Sequence, residues 1–193
     1  MERLRVLALA VLAVAWGASS SRGVLQQWLP ADGGNGHFYE AVAVPSVVTW
    51  QEANVAATGA GGYLATITSE AENDFIFGLI DDPAYWNPSY NLRGPWIGGF
   101  QPARSPEPDG NWQWVTGESF VYDNWDNGQP NNSGNGNENR LHFGNRPERT
   151  PTWNDVTEDF PEIKSYVVEY IPEPGSALLL ALGAGAAIRK RRV

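Results

Sequence analysis

From residue 37 onward the apolar positions change period along the chain, and each change marks an element. His37-Phe38-Tyr39 opens an alternation that continues through Ala41 and Ala43 on one side and Val42 and Val44 on the other, the period-two pattern of a strand. Thr49-Trp50-Gln51-Glu52 is a capping box, in which Thr49 accepts from the backbone at Glu52 while Glu52 reaches back to the cap. The spacing predicts a helix from Trp50 to about Thr58, stopped at Gly59. Ser69-Glu70-Ala71-Glu72 repeats the signal; Ala71, Phe75 and Leu79 with Ile76 and Ile80 form the apolar stripe of a second helix, which Asp81-Asp82-Pro83 ends.

Two further apolar runs lie at the ends of the chain and have a different character. Val6 to Trp16 follows Arg3 and Arg5 and precedes Gly17-Ala18-Ser19-Ser20, so residues 1–20 have the pattern of a secretory signal peptide, too short for a membrane anchor. Gly175 to Ile188 lies between Ile171-Pro172-Glu173-Pro174 and Arg189-Lys190-Arg191-Arg192. Fourteen helical residues rise only about 21 Å, short of a ~30 Å hydrocarbon core, and the basic end would stay cytoplasmic. Residues 21–36, with Gln26-Gln27, Pro30 and Gly33-Gly34-Asn35-Gly36, read as a linker. One globular domain, residues 37–171, is expected between linker and tail.

Charge narrows the partners. Between Ser21 and Ile171 there are 20 acidic against 7 basic residues, a net of −13, once Glu2, Glu173, Arg3, Arg5 and the four terminal basic residues are set aside. Nucleic acid is excluded as a natural partner, because binding it requires basic side chains against phosphates. Cations and neutral sugars remain compatible. The chain has no cysteine, unexpected for an exported domain, so stability must come from the core and from any bound ion. Nine tryptophans predict an aromatic core.

Candidate chemistry is concentrated between Gly128 and Asp155. Gln129 and Asn131 offer amide oxygens across Pro130; Glu138 and Asp155 offer carboxylates; Asn154 adds an amide beside Asp155. Hard oxygen donors of this kind suit Ca2+, which takes six to eight of them in irregular geometry. The alternative is a polar Gly/Asn-rich surface loop with no ligand.

These residues resemble the carbohydrate-binding Ca2+ site of C-type lectin domains, where a Glu-Pro-Asn or Gln-Pro-Asp triplet, a later glutamate and a Trp-Asn-Asp triplet hold one ion. Other motifs resemble the same family in order: Trp50...Ala53...Ala57...Gly62...Leu64-Ala65...Ile67...Glu72...Phe75-Ile76, then Trp96-Ile97-Gly98-Gly99-Phe100, Trp112-Gln113-Trp114-Val115-Thr116-Gly117, Tyr122-Asp123-Asn124-Trp125, Trp153-Asn154-Asp155 and Tyr166-Val167-Val168-Glu169. The resemblance covers about His37 to Tyr170. It implies an α+β C-type lectin-like fold, two helices flanking antiparallel sheets, with a long ligand-binding loop at about Asp123 to Glu138. It also implies Ca2+ as cofactor and a sugar's vicinal hydroxyls as partner, with Gln129, Asn131, Glu138, Asn154 and Asp155 holding the ion and contacting the sugar.

Three departures from the family pattern matter. The positions where the family carries cysteines fall on Ala57, Val168, Arg140 and Glu158, so the first pair is expected to be replaced by apolar contact and the second by an ion pair. Gln129-Pro130-Asn131 matches neither common triplet; an amide stands where the family has its one carboxylate, so the ion is expected to bind more weakly, and the absence of an aromatic residue from Ser133 to Asn137 leans toward mannose, fucose or glucose-like diols. Asp81 to Pro95 is longer than the family's usual connection, and is expected as a surface loop whose Tyr85, Trp86 and Tyr90 either pack down or stack on sugar.

Two other functions stay open. Many members of this fold bind proteins without an ion, as a protein-binding or structural matrix component. An enzyme would have to use His37 and His142 with nearby carboxylates, but no nucleophile motif or Zn-type spacing accompanies them. The reading is therefore a binding protein. The terminal Pro172-Glu173-Pro174, apolar run and Arg-rich end resemble a PEP-CTERM sorting signal over residues 172–193. That implies an exosortase-type membrane enzyme as partner, transient membrane association, and a mature product at the surface or in the extracellular matrix of a Gram-negative bacterium; a simple tail anchor is the alternative.

Overall fold

Thr49 and Ser69 start the two long helices, but only one cap is complete. In the computed structural model, which describes residues 20–88 and 91–172, helix α1 is Trp50–Gly59. Thr49 Oγ1 accepts from Glu52 N at 3.1 Å, and the Glu52 carboxylate accepts from Thr49 N at 2.9 Å. Helix α2 is Glu70–Ile80; Ser69 Oγ accepts from Glu72 N, yet the Glu72 carboxylate turns away to Thr68 N at 2.8 Å and the Tyr39 hydroxyl at 2.6 Å. The buried face of α2 shifts accordingly, to Glu72, Asn73, Ile76 and Ile80, and leaves Ala71 exposed. The reason is polar: Glu72 and Asn73 find enough hydrogen bonds inside to be buried, which hydrophobic periodicity cannot see.

The strands are β1 (Ser21–Arg22), β2 (Gln26–Gln27), β3 (Phe38–Ala43), β4 (Tyr63–Leu64), β5 (Leu92–Phe100), β6 (Gln113–Trp114), β7 (Arg140–Arg146), β8 (Trp153–Val156) and β9 (Ser165–Tyr170). They form one sheet with the path β1-β3-β9-β5-β7-β8, with β2 on β3, β4 on β9 and β6 on β5. The sheet is mixed rather than wholly antiparallel, since β5 runs parallel to β9 at Trp96↔Tyr166. The final strand β9 inserts between β3 and β5, running antiparallel to β3 along its whole length.

Residues 21–36 are not a free linker. Ser21↔Ala43 and Gln26↔Tyr39 pair this segment antiparallel to β3, and Trp28 is buried, stacked on Phe75 with centroids 5.7 Å apart. Edge N–H and C=O groups of β3 and a large indole to bury outweigh the Gly/Pro composition. Strand β3 itself is apolar on both sides because it feeds two cores: Tyr39 and Ala41 enter one cluster, Val42 the other.

Trp86, from the stretch expected to be a surface loop, is also buried; its Nε1 donates to Ile80 O at 2.7 Å, and Tyr85 packs against the same cluster. Strand β5 begins at Leu92, within that stretch, while Tyr90 lies outside the described residues. Gly98 and Gly99 let neighbours approach the middle of β5. A Cβ at Gly98 would come within 2.5 Å of Leu64 O, and one at Gly99 would collide with Leu141.

At the family's cysteine positions, Ala57 and Val168 share one buried cluster, and Arg140 Nη2 meets Glu158 Oε2 at 2.8 Å with its guanidinium 4.6 Å from the Trp50 ring. An ion pair that leaves Glu158 half exposed is worth only about 0–1 kcal/mol. The double variant Arg140→Cys/Glu158→Cys is therefore expected to be about 2–4 kcal/mol more stable oxidised than reduced, measured by denaturant unfolding with and without reductant. Equal stability in the two states would disprove the expectation.

The expected signal peptide and sorting signal fall, apart from Ser20 and Pro172, outside the described residues. Among the described residues no helix is long and apolar enough to cross a membrane.

Candidate functional site

The loop after Trp125 is tied to strand β8 at its base. Asp126 N donates to Trp153 O at 2.8 Å, and Arg146 at the end of β7 holds the Asp126 carboxylate through Nε at 2.7 Å. Gln129 N then donates to Asp126 O at 2.9 Å, closing a turn that leads into a cis Gln129-Pro130 bond. Beyond Pro130 the chain folds onto β8: Asn131 N and Asn132 N donate to the Asp155 carboxylate at 3.1 and 2.8 Å. Asn132 adopts a left-handed conformation (φ 45°), which asparagine tolerates better than most residues. It leads into a single helical turn, α3 (Ser133–Gly136).

Glu138, just past α3, closes the loop from the other side. Its Oε2 accepts from Ser133 N at 2.6 Å and from Ser133 Oγ at 2.9 Å, while Glu138 N donates to Asn132 Oδ1 at 2.9 Å. Asn131 Oδ1 accepts from Ser133 N at 2.9 Å. Asn131, Glu138 and Asp155 thus belong to one hydrogen-bonded constellation, with Gln129 one residue away across Pro130.

Both carboxylates are buried, and both are held above the usual carboxylate range. For Asp155 burial dominates, opposed by the backbone donors of Asn132 and Asn131. For Glu138 burial again leads, opposed by Ser133 and reinforced by the negative charge of Asp155. Glu107, on the neighbouring loop, is raised too, by burial and then by Asp155.

This constellation fits a hard cation. Gln129 Oε1 is buried with no hydrogen-bond partner among the described residues, at a cost of about 1–3 kcal/mol, and of the two buried carboxylates the charge of Asp155 raises the proton affinity of Glu138. Every group the site offers is an oxygen donor of the type Ca2+ accepts. Among the described residues no group of three or more His, Cys, Asp or Glu side chains is arranged to hold a metal ion, so an ion at this loop would rely on two carboxylates completed by amides.

Asn154 is placed differently from the other four. It lies opposite His142 across the β7–β8 pair, and its Nδ2 donates to His142 Nε2 at 3.2 Å and to Asp155 O at 2.7 Å. His142 is fully buried, edge-on to Trp96 and stacked on Phe160, and burial pushes its pKa down to about 3. It is therefore a neutral ring, unsuited to general acid–base work near neutral pH. His37 stands apart, its Nδ1 2.6 Å from Glu169 Oε1.

Ser133, Asn132, Asp126, Arg146 and His142 shape the site, and motif reading passed over all but His142, which it weighed only as an acid–base group. His142 was findable, since it faces Asn154 in the hairpin that joins β7 and β8. Nothing in the sequence marks Ser133, Asn132, Asp126 or Arg146, whose roles arise from the path of the loop.

Comparison with known proteins agrees with this fold. The family described as "Lectin C-type domain" matches residues 46–160, more than half of the 193-residue chain. Lithostathine of Rattus norvegicus is 33% identical over 90 residues, covering 46% of this chain and 49% of that protein, so the chain spans about half the length of this relative. Two solved structures share the fold at lower identity. The cow CD23 C-type carbohydrate-recognition domain, crystallised in the presence of GlcNAc2Man3 oligosaccharide, has TM-score 0.54 and 24% identity over 71% of this chain and 89% of its own. A calcium-independent type II antifreeze protein has TM-score 0.52 and 19% identity over 70% and 87%. With its family motifs matched in order and its strands and helices arranged as in these structures, the chain belongs to the C-type lectin domain family.

Proposed function

We propose that this domain binds carbohydrate through a Ca2+ ion held by Gln129, Asn131, Glu138, Asn154 and Asp155. The observation that carries the reading is that the loop closes its oxygen donors around two buried carboxylates, Asp155 and Glu138, while Gln129 Oε1, two residues before Asn131, is buried without a hydrogen-bond partner among the described residues. When bound, Ca2+ supplies coordination positions for two neighbouring sugar hydroxyls. The chain's own part is to hold oxygen donors in place before the ligand arrives: Asn131 N and Asn132 N fix Asp155, and Ser133 fixes Glu138. The same amides and carboxylates are then available to hydrogen-bond sugar hydroxyls. With the Gln129-Pro130-Asn131 triplet and no aromatic platform, mannose, fucose or glucose-like diols are the preferred class. The test is thermal unfolding with millimolar Ca2+ and with chelator, followed by a glycan array under both conditions. At a hundredfold excess over its Kd the ion adds about 2.7 kcal/mol. No stabilisation by Ca2+ would overturn the reading.

A second reading, ion-independent protein binding or a structural matrix role, has its own support. Backbone N–H groups already occupy Asp155 and Glu138 and order the loop unaided, and one solved relative of this fold is described as calcium-independent. The same Ca2+ titration separates the two.

Acid should oppose the ion. Because burial raises both carboxylates above their unfolded values, protonation stabilises the ion-free fold below that range, and this contribution is lost as pH rises through the raised values. Ca2+ needs both groups ionised, so Ca2+-dependent stabilisation is expected to fade on acidification at a pH above that of ordinary carboxylates. Calorimetric titration from neutral to acid checks this; a midpoint at or below the usual carboxylate range would refute it.

Export completes the proposal: the mature chain ends near Pro172 to Gly175 and acts at the cell surface or in an extracellular matrix, after processing by an exosortase-type enzyme. Intact mass of the native protein tests it, and a main species retaining Arg189 to Val193 would leave a tail anchor instead.

A further inference from the structure

We infer that His142 is a positioning residue for the proposed cation site: its ring, fixed between Trp96 and Phe160 and held by Phe143 O, orients the Asn154 amide so that Oδ1, rather than the amide nitrogen, is the atom left for a ligand. The inference rests on the cation reading above and concerns a residue outside the five proposed ligands.

The tautomer follows from the partners. His142 Nδ1 is 2.6 Å from Phe143 O, which can only accept, so Nδ1 carries the hydrogen. Asn154 Nδ2, which can only donate, faces Nε2 at 3.2 Å, so Nε2 is the accepting nitrogen. The second N–H of the same amide is donated to Asp155 O at 2.7 Å. Both amide hydrogens are therefore taken. Turning the amide over would set Oδ1 against the Nε2 lone pair and the Asp155 carbonyl at once, two acceptor–acceptor contacts in a dry setting. The ring cannot easily turn to accommodate such a flip, because it stacks on Phe160 at 13° between planes and meets Trp96 edge-on at 81°. His142 and Asn154 are register partners across β7 and β8, so the strand pairing builds this contact in. An asparagine without such a partner can present either end of its amide to the site. Here the choice is made from behind, by a group that touches neither ion nor sugar, and such partners typically change metal affinity 10–100-fold.

The test uses the full chain and Ca2+ alone as probe, followed by calorimetry. His142→Phe keeps a ring between Trp96 and Phe160 and removes both nitrogens; it is expected to weaken Ca2+ binding at least tenfold. His142→Gln, whose Oε1 can accept from Asn154, is expected to restore affinity to within about threefold and guards against loss of folding in the phenylalanine variant. Independently of ion binding, the 15N shifts of the wild-type imidazole should report a protonated Nδ1 and a bare Nε2, with and without Ca2+. Wild-type protein that binds Ca2+ while His142→Phe binds it equally well, or a ring protonated at Nε2, would overturn this inference alone. A wild-type protein that binds no Ca2+ would overturn the cation reading and this inference with it.

Discussion

Glu138→Gln is expected to abolish measurable Ca2+-dependent stabilisation while leaving the ion-free fold nearly unchanged. Among the described residues the loop uses one Glu138 oxygen, Oε2, which accepts from Ser133 N and Ser133 Oγ. A glutamine can keep its oxygen there and place its amide nitrogen at the other position, so shape and loop contacts persist while one of two carboxylate charges disappears. Removing that charge also removes the repulsion from Asp155, which slightly favours the ion-free state. Asp155→Asn is a harsher change, because both Asp155 oxygens accept from the backbone: Oδ1 from Asn131, Oδ2 from Asn131 and Asn132. One oxygen becomes an N–H facing a backbone N–H, so this variant should lose ion binding and also about 1–3 kcal/mol of ion-free stability. Denaturant unfolding with Ca2+ and with chelator reads both effects. Full Ca2+-dependent stabilisation in Glu138→Gln would defeat the assignment of the site, whatever happened to Asp155→Asn.

The second large effect is expected at Trp153, the residue that couples core and site. Its ring is fully buried, meeting Trp114 at 5.7 Å, Tyr122 at 5.6 Å, Trp125 at 6.2 Å and Phe120 at 6.3 Å between centroids. Its Nε1 donates to Asn73 Oδ1 at 2.8 Å, and its backbone accepts from Asp126 N and donates to Asn124 O. Trp153→Ala should cost about 3–5 kcal/mol, a large part of the 5–15 kcal/mol available to an ordinary domain. The melting temperature should fall by roughly 10 °C or more. Trp153→Phe keeps a ring but strands the buried Asn73 oxygen, and about 1–3 kcal/mol should be lost. A melting temperature within a degree or two of wild type for Trp153→Ala would show that the aromatic cluster does not carry the fold.

How much of this was readable beforehand depends on the range of the interaction. Both helix starts were legible because caps are local: Thr49 meets Glu52 three residues on, within one turn. Which face of α2 would be buried was not, because Asn73 is held by Trp153, 80 residues away. Residues 21–36 looked like a linker because their composition is open, yet strand β3 needed partners and Trp28 needed cover. Parallel pairing of β5 with β9 is a property of chain path, invisible to period or propensity.

The candidate site divides along the same line. Its oxygen donors were legible as residue types: two carboxylates and three amides, at spacings a familiar motif makes recognisable. Their state was not. That Gln129 Oε1 is buried without a partner among the described residues, and that Asp155 is capped by the N–H of Asn132, 23 residues earlier, depend on groups far apart in sequence meeting in space; that Ser133 caps Glu138 depends on the path of the loop. The sequence by itself determined which ligand chemistry is on offer, because donor type is a property of the side chain. The tertiary structure decided how each donor is charged, satisfied and aimed, because burial and hydrogen-bond partners exist only once the chain has closed on itself.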